Sequence, residues 1–243
     1  MRLLLLGGTS EARALAARLH PGVDVLSSLA GRVPDPALPV GEVRIGGFGG
    51  VEGMRRWLSE AAVDAVVDAT HPYAATITTH AAAVCDELGL PHLVVVRPAW
   101  DPGDAIVMGS DVEAANTVAA EGYSRVFLTT GRSGTAAFVN VDAWFLVRAV
   151  TTPDSDTLPR RHEIVLSRGP YHYDDELALL REHRIYALVT KNSGGTMTRP
   201  KLDAAAALGV AVVMVDRPPL PAGVTTVSTV DEAVAWVRST GSR

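Results

Sequence analysis

The first ten residues contain a glycine turn whose composition suits the binding of a dinucleotide. Gly7-Gly8-Thr9-Ser10 follows a run of leucines and leads into a helical pattern. The start of such a helix presents free amides and a positive dipole end to a pyrophosphate, although the spacing does not fit G-x-G-x-x-G and Ala12 replaces the last glycine. We predict that Gly7, Gly8, Thr9 and Ser10 bind a cofactor, with a plain strand-to-helix turn as the alternative.

The end of the second predicted strand carries residues that favour a cofactor with a 2′-phosphate. NAD-type sites usually place Asp or Glu at this point, where the carboxylate accepts the ribose hydroxyls. Here the sequence has Ser28 and Arg32 instead. We therefore predict NADPH in preference to NADH, with Ser28 and Arg32 in contact with it. A solvated loop arginine is the alternative.

A polar segment, Asp68-Ala69-Thr70-His71-Pro72-Tyr73, closes a predicted strand and opens a helix. Polar residues at the carboxyl end of a strand occupy a favoured ligand position. His71 can give a proton near neutral pH, and Tyr73 can donate a hydrogen bond. We predict that His71 and Tyr73 are catalytic and that Thr70 contacts the cofactor. A purely structural histidine is the alternative.

Gly46-Gly47-Phe48-Gly49-Gly50 has four glycines in five positions. Such a segment has exposed amides and little side-chain bulk, so it can lie close to a flat ligand. We predict a substrate contact at Gly47 and Phe48. A flexible turn with no ligand is an equal alternative.

Two loops in the second half of the chain have the composition of anion-binding sites. Thr129-Thr130-Gly131-Arg132 follows a predicted strand, as the first glycine turn does, and Arg132 can pair with a carboxylate in a bidentate way. Lys191-Asn192-Ser193-Gly194-Gly195-Thr196 offers an ammonium, an amide and hydroxyls, but its order is the reverse of a P-loop. We predict Lys191 as a third catalytic candidate, with a glycine-rich turn and a solvated lysine as the alternative.

Several classes of function are disfavoured by composition. The net charge of −5 argues against a nucleic-acid partner, and no Cys/His spacing indicates a metal site. The single Cys85 excludes an intrachain disulfide. No apolar run approaches the roughly 20 residues of a membrane span, and the opening leucine run is too short for a signal peptide. We therefore expect no metal, no membrane association and a cytoplasmic location.

Short apolar runs alternate with amphipathic ones, as in βαβ units with a parallel sheet. We predict strands at residues 3–6, 23–26, 43–45, 65–68, 92–96, 125–128, 144–147, 164–166, 185–189 and 211–215. We predict helices at residues 11–19, 51–62, 74–88, 113–121, 173–183, 201–208 and 231–238, and a short helix after residue 134. The polar stretch from Thr151 to Arg161 is predicted to be a mobile surface loop.

A composition break at residues 97–103, rich in proline and glycine, indicates a domain boundary. The prediction is an α/β protein with two Rossmann-like domains, each a parallel sheet flanked by helices. Residues 1–100 form the NADPH-binding domain, and residues 101–243 form the second domain, which completes the substrate site. Ligands are expected in a cleft between the two sheets, at the carboxyl ends of their strands.

These motifs together resemble the precorrin-6A reductase family, and the most specific match is the segment from Asp68 to Ala75. The resemblance is carried in order by residues 5–13, 29–32, 46–50, 68–75, 97–100, 130–132, 191–195 and 217–218. It spans almost the whole chain, and the segment from Thr151 to Arg161 is the least similar to the family.

The resemblance implies a reduction in cobalamin biosynthesis. Members of the family move a hydride from NADPH to a carbon–carbon double bond of precorrin-6A, giving precorrin-6B, and some act on the cobalt-containing ring. The implied partner is an anionic tetrapyrrole with many carboxylate arms. We expect the substrate to contact a set of loop residues: Gly47, Phe48, Arg132, Asn192, Ser193 and Arg199. A proton must also reach the ring, and His71, Tyr73 and Lys191 are the candidate donors.

Three other hypotheses remain open at this point. The chain could be a two-lobed tetrapyrrole lyase or synthase without a nucleotide, a reductase of cobalt-precorrin-6A, or a non-catalytic carrier of corrinoid intermediates. The sequence predicts either a monomer or a homodimer.

Overall fold

The computed structural model describes residues 1–31 and 37–241, so Arg32, predicted to bind the cofactor, lies outside the described residues. The chain forms two compact units. The first contains Met1–Pro98 and Pro218–Arg243, and the second contains Ala99–Arg217. Among the described residues, no helix is both long and apolar enough to span a membrane.

Twelve described strands form two sheets of six. In chain order they are β1 Arg2–Leu6, β2 Asp24–Leu29, β3 Glu42–Ile45, β4 Ala65–Asp68, β5 His92–Val95, β6 Ile106–Met108, β7 Arg125–Leu128, β8 Trp144–Ala149, β9 Arg161–Leu166, β10 Ala187–Lys191, β11 Ala211–Val215 and β12 Thr225–Val227. The described residues also form seven α-helices: α1 Ser10–Leu19, α2 Gly50–Glu60, α3 Ala75–Leu88, α4 Asp111–Ala120, α5 Tyr173–Glu182, α6 Pro200–Leu208 and α7 Val230–Thr240. All strand pairs are parallel, which confirms the predicted α/β class.

The first sheet has the strand order β12-β5-β4-β1-β2-β3. Its central strand β1 is buried on both faces, and successive leucine side chains point alternately to one face and to the other. Leu3 and Leu5 pack with α1 and α7 in one core cluster, whereas Leu4 and Leu6 pack with α2 and α3 in another. A run of consecutive leucines is therefore what a parallel strand covered on both faces requires.

The second sheet has the order β6-β11-β10-β7-β8-β9. If β7 is counted as the first strand of this sheet, the order from β9 is third, second, first, fourth and fifth, and β6 takes the sixth place. The first sheet has the same order when it is counted from β1, and β12 takes its sixth place. This is the doubly-wound order, in which the strand order reverses beside the first strand. The reversal lies between β1 and β4 in one unit and between β7 and β10 in the other.

The second domain was predicted to run from 101 to 243, and the structure corrects its end. Residues 218–243 belong to the first unit. Strand β12 pairs with β5, with Thr225 opposite Leu93, and α7 buries Ala233 and Val237 in the first core. The prediction assumed that the chain stays in the second domain once it has entered it. It also missed β6 and β12, because three-residue edge strands leave little periodic signal in the sequence.

The segment from Thr151 to Arg161 was predicted to be a mobile loop. It is irregular as expected, apart from a short 3-10 helix at Ser155–Thr157, but it is anchored by Pro153, Leu158 and Pro159, which are buried. Strand β9 starts at Arg161, three residues before the predicted strand. Three residues of this largely polar stretch are therefore removed from solvent.

The second unit contains a buried group of charges beneath its sheet. Arg148 and Glu176 form two hydrogen bonds of 2.9 and 2.7 Å, and the guanidinium lies 4.1 Å from the ring centroid of Tyr171. Lys201 is also buried, donates to the carbonyl oxygen of Thr198 at 2.9 Å, and has a pKa lowered to about 7. Burial is the main cause, and the nearby Arg148 adds to it, while Glu176 opposes it.

The low pKa of Lys201 predicts a pH dependence of stability. Between about pH 7 and its ordinary pKa near 10.5, the unfolded chain holds a proton on Lys201 that the folded protein lacks. The free energy of unfolding therefore rises with pH through this window, and the cost of the buried charge is complete below pH 7. We expect Lys201→Met to gain stability relative to the parent protein at pH 6, and this advantage to shrink as the pH approaches 10.

Chemical denaturation at several pH values measures this effect. Arg181→Met removes an exposed positive charge from α5 and serves as the control, with a pH profile parallel to that of the parent. A constant difference between Lys201→Met and the parent across the window would contradict the prediction.

Candidate functional site

In the first unit, the turn after β1 lies beside the segment that follows β4. The amide of Gly7 donates to the carbonyl oxygen of Ser28 at 3.0 Å, and the amide of Ala69 donates to Leu6 at 2.9 Å. Gly8 has a φ of 108°, a backbone conformation that favours glycine, and no atom lies within 4 Å of where its Cβ would be. The predicted cofactor turn is therefore open in front of the N-terminus of α1.

Thr9 fixes this turn. Its hydroxyl accepts from the amide of Ala12 at 3.1 Å as the N-cap of α1, and donates to the carbonyl oxygen of Ala69 at 2.6 Å. The side chain thus ties the end of β1 to the end of β4, which leaves the backbone as the main ligand-facing group of Thr9. The hydroxyl of Ser10 donates to Glu11 at 2.9 Å.

An ion pair at the same edge was not predicted from the sequence. Both carboxylate oxygens of Glu11 lie 3.1 Å from Nη1 of Arg97, and the two side chains are only 25% and 16% exposed. Burial opposes ionisation of Glu11, but its own backbone amide and Arg97 outweigh burial and lower its pKa. A small pocket beside this pair is also lined by Thr9, Thr70 and Pro72.

Arg44 is a second functional candidate that the sequence analysis missed. It donates to the hydroxyl of Ser28 at 2.7 Å and to the carbonyl oxygens of Gly46 and Gly47 at 3.1 Å each. Its guanidinium also lies 3.9 Å from the ring centroid of Phe48. The glycine-rich segment is therefore braced by Arg44, and the guanidinium lies beside the serine that was predicted to bind the cofactor.

Close packing of α2 holds the other end of this segment. A Cβ on Gly53 would lie 1.7 Å from the carbonyl oxygen of Phe48, so only glycine fits at this position. Phe48 itself packs edge-on against Trp57, with 5.3 Å between the ring centroids. Gly47 and Phe48 thus lie in a segment braced by Arg44 and Trp57, and their contact with the substrate stays a prediction.

Asp68 organises the polar segment after β4. It is buried, and its carboxylate accepts from the amide of Thr70 at 2.9 Å and from the hydroxyls of Thr70 and Thr78 at 2.7 and 2.6 Å. His71 and Tyr73 follow, with ring centroids 5.6 Å apart and the amide of Tyr73 donating to Nδ1 of His71 at 3.3 Å. The three predicted site residues Thr70, His71 and Tyr73 are therefore brought together.

In the second unit, the loop after β7 meets the end of β10. The amide and the hydroxyl of Thr129 both donate to the carbonyl oxygen of Val189, at 2.9 and 3.0 Å. Lys191 ends β10, and its Nζ lies 3.5 Å from Oγ of Ser133 and 3.7 Å from Oδ2 of Asp111. The structure thus brings together the two loops that the sequence singled out and adds Asp111.

Three other predicted substrate residues of the second unit already have hydrogen-bond or ion-pair partners within the protein. The buried amide of Asn192 accepts from the backbone amide of Trp100 at 2.8 Å and donates to its carbonyl oxygen at 3.0 Å, which gives Asn192 a structural role. The carbonyl oxygen of Ser193 accepts from Arg217 at 3.2 Å. Arg199 pairs with Asp203 at 3.0 Å on α6.

Arg132 is exposed, and its carbonyl oxygen accepts from the hydroxyl of Thr135 at 2.9 Å, which fixes the backbone of the loop. Within residues 1–31 and 37–241, no group of three or more His, Cys, Asp or Glu side chains is arranged to hold a metal ion.

The role of Asp68 leads to a prediction for stability. Asp68→Ala leaves the amide of Thr70 and two threonine hydroxyls without their buried acceptor, which costs about 2–4 kcal/mol. Urea denaturation measures the loss. Asp86→Ala, at an exposed position of α3 in the same unit, is the control and loses less than about 1 kcal/mol. An unchanged denaturation midpoint for Asp68→Ala would contradict this account of the segment.

Residues 2–238 of the chain match the family described as CbiJ, precorrin-6x reductase CbiJ/CobK. The chain is 71% identical over 242 residues to a precorrin-6A reductase of Mycobacterium tuberculosis, covering 100% of this chain and 99% of the relative. It is 52% identical over 241 residues to a precorrin-6A reductase of Rhodococcus erythropolis, with 97% of both chains covered.

A solved structure has the same fold. The CobK precorrin-6A reductase superimposes with a TM-score of 0.91 at 34% identity, over 99% of this chain and 97% of that one. These matches extend over both units of the chain. The chain therefore belongs to the precorrin-6x reductase CbiJ/CobK family.

Proposed function

We propose that the protein is a precorrin-6A reductase that uses NADPH. The observation that carries the proposal is the full-length identity of 71% to a relative of that name. The reaction adds a hydride to one carbon of a ring double bond and a proton to the neighbouring atom, and NADPH supplies the hydride when bound. Because the family is described as a reductase, this identity argues against the lyase and carrier alternatives.

The first unit offers a fitting place for the pyrophosphate of NADPH. The open backbone of Gly8 and the positive dipole end at the start of α1 suit an anion. The carboxylate of Glu11 lies nearby and would repel it, but Arg97 at 3.1 Å neutralises that charge. We infer that the turn from Gly7 to Ser10 holds the pyrophosphate. The amides of Gly8, Thr9 and Ser10 are the proposed donors, because the amide of Gly7 already donates to Ser28.

The ends of β2 and β3 support NADPH over NADH. Arg44 donates to Ser28 at 2.7 Å, so the two side chains form a cationic, hydrogen-bonding pair where a 2′-phosphate is expected. Burial lowers the pKa of Arg44, so an adjacent anion would offset the cost of its burial. The side chain that meets Ser28 is thus a cation, whereas an NAD-type site has a carboxylate that accepts the ribose hydroxyls.

The chain's remaining candidates act on the macrocycle. Arg132 is exposed on a loop fixed by Thr135 and can pair with a carboxylate arm of the substrate. His71 and Tyr73 in the first unit and Lys191 in the second are candidates to deliver the proton. Each lies at the carboxyl end of a strand beside its sheet's reversal point, where ligands of such sheets are bound.

A direct assay tests the reductase activity. We expect the purified protein to consume NADPH in the presence of precorrin-6A, measured by the fall in absorbance at 340 nm, and to form a ring with two more hydrogens by mass spectrometry. Both relatives compared above are named for the cobalt-free ring, so turnover of cobalt-precorrin-6A should be slower. Folded protein that leaves NADPH unchanged would overturn the proposal.

The pair of Ser28 and Arg44 predicts the nucleotide preference. Arg44→Ala should weaken NADPH binding about tenfold or more, because a charge-assisted hydrogen bond contributes about 1.5–3 kcal/mol. NADH has no 2′-phosphate, so its weaker affinity should change much less. Titration by fluorescence or calorimetry gives both dissociation constants.

Arg55→Ala is the matched control, because it removes an arginine of α2 that pairs with Glu52 and Glu87 on the surface. It should leave the ratio of the two affinities unchanged. An equal loss for NADPH and NADH in Arg44→Ala would assign Arg44 to bracing the glycine-rich segment alone.

A further inference from the structure

A half-buried ion pair in the second unit joins Lys191 to a carboxylate that no sequence motif singled out. Nζ of Lys191 lies 3.7 Å from Oδ2 of Asp111, and the two side chains are only 12% and 26% exposed. Asp111 is the first residue of α4, just after β6. The chain that follows β6 therefore places a carboxylate beside the end of β10.

The second oxygen of Asp111 shows that this placement has a cost. Oδ1 is buried and has no hydrogen-bond partner in the described part of the chain, and the hydroxyl of Thr130 is in the same situation. Burial raises the pKa of Asp111, and the nearby Lys191 opposes this rise. Buried polar atoms without partners are uncommon in folded proteins, and a catalytic role is one of the reasons for which they are retained.

Capping of α4 does not account for Asp111. The hydroxyl of Ser110 already accepts from the amide of Glu113 at 3.1 Å, and the carboxylate of Glu113 accepts from the amide of Gly109 at 2.9 Å. Glu113 also places a carboxylate in the first turn of α4, so the helix dipole is complemented there without Asp111. The carboxylate of Asp111 instead faces the ammonium of Lys191.

Gly134 keeps the space around this pair. Its φ of −93° suits any residue, so backbone conformation does not require glycine here. A Cβ at this position would instead lie 2.5 Å from the hydroxyl oxygen of Thr130 and 2.8 Å from Oδ1 of Asp111. The loop after β7 is thus shaped around the carboxylate of Asp111.

We propose that Asp111 is a positioning residue that holds the ammonium of Lys191 at the end of β10, so that Lys191 delivers the proton of the reduction. This inference rests on the proposed function, in which the ring of precorrin-6A accepts the hydride. The ammonium gives its proton to the atom beside the carbon that receives the hydride from NADPH. The neutral amine then regains a proton from water. Ser133, with Oγ 3.5 Å from Nζ, completes the orientation of Lys191.

A double-mutant cycle tests the proposal in the full-length protein with NADPH and precorrin-6A. Lys191→Met should lower kcat by about 100-fold, the lower end of the effect of a general acid. Asp111→Asn should lower kcat about tenfold and leave KM for precorrin-6A within about twofold. In the Lys191→Met background, Asp111→Asn should have almost no further effect, since Asp111 acts through Lys191.

Glu113→Gln is the matched control, because it removes a carboxylate from the same helical turn and keeps a hydrogen-bond acceptor for Gly109. It should retain the parent kcat. Circular dichroism and NADPH titration verify that each variant is folded, and Asp111→Ala replaces Asp111→Asn if the latter does not fold.

The outcomes are distinct. Multiplicative effects of the two substitutions would overturn the proposal, and so would a loss confined to KM in Asp111→Asn. A Lys191→Met enzyme with full kcat would also overturn it while leaving the reductase activity intact. Absence of turnover in the parent protein would instead refute the proposed function.

Discussion

The reversal of strand order beside β1 and β7 is the constraint on which the rest of the structure depends. Helical connections leave a doubly-wound sheet on opposite faces at this point, which opens a crevice at the carboxyl ends of two adjacent strands. In each unit, a threonine hydroxyl after the strand on one side of this point donates to a backbone carbonyl oxygen on the other side. Thr9 donates to Ala69, which follows β4, and Thr129 donates to Val189 within β10.

These hydrogen bonds let each unit place charged groups at a rigid edge. In the first unit the edge carries Glu11 with Arg97, and in the second it carries Asp111 with Lys191. Such partly buried pairs lose hydration, and each partner limits the cost to the other. The charges are therefore maintained by the fold against a desolvation cost, which is the common condition of groups that meet an anionic ligand or transfer a proton.

The sequence contained enough information to predict the class of fold and to single out polar loops at the ends of strands, but not the side-chain pairs within those loops. Strands β4, β7 and β11 were predicted to the residue, because buried apolar runs between turn signals are distinctive. Glu11 and Arg97 are 86 residues apart, so their contact depends on which strands become neighbours, a property of the whole sheet. Arg44 was missed for the same reason, since Ser28 meets it only after β2 and β3 have paired.

The edge strands explain why the domain boundary was misjudged and why this matters for the site. The chain leaves the first unit after β5 and returns to it only at β12, and the amide of Val96 donates to the carbonyl oxygen of Val227 at 2.8 Å. Arg97 follows directly on this hydrogen bond. The direction of its side chain toward Glu11 therefore depends on residues near the end of the chain, which join the sheet only after the whole second unit has been synthesised. A composition break marks where the chain departs, but the returning strand has too few residues to be recognised before its partner is known.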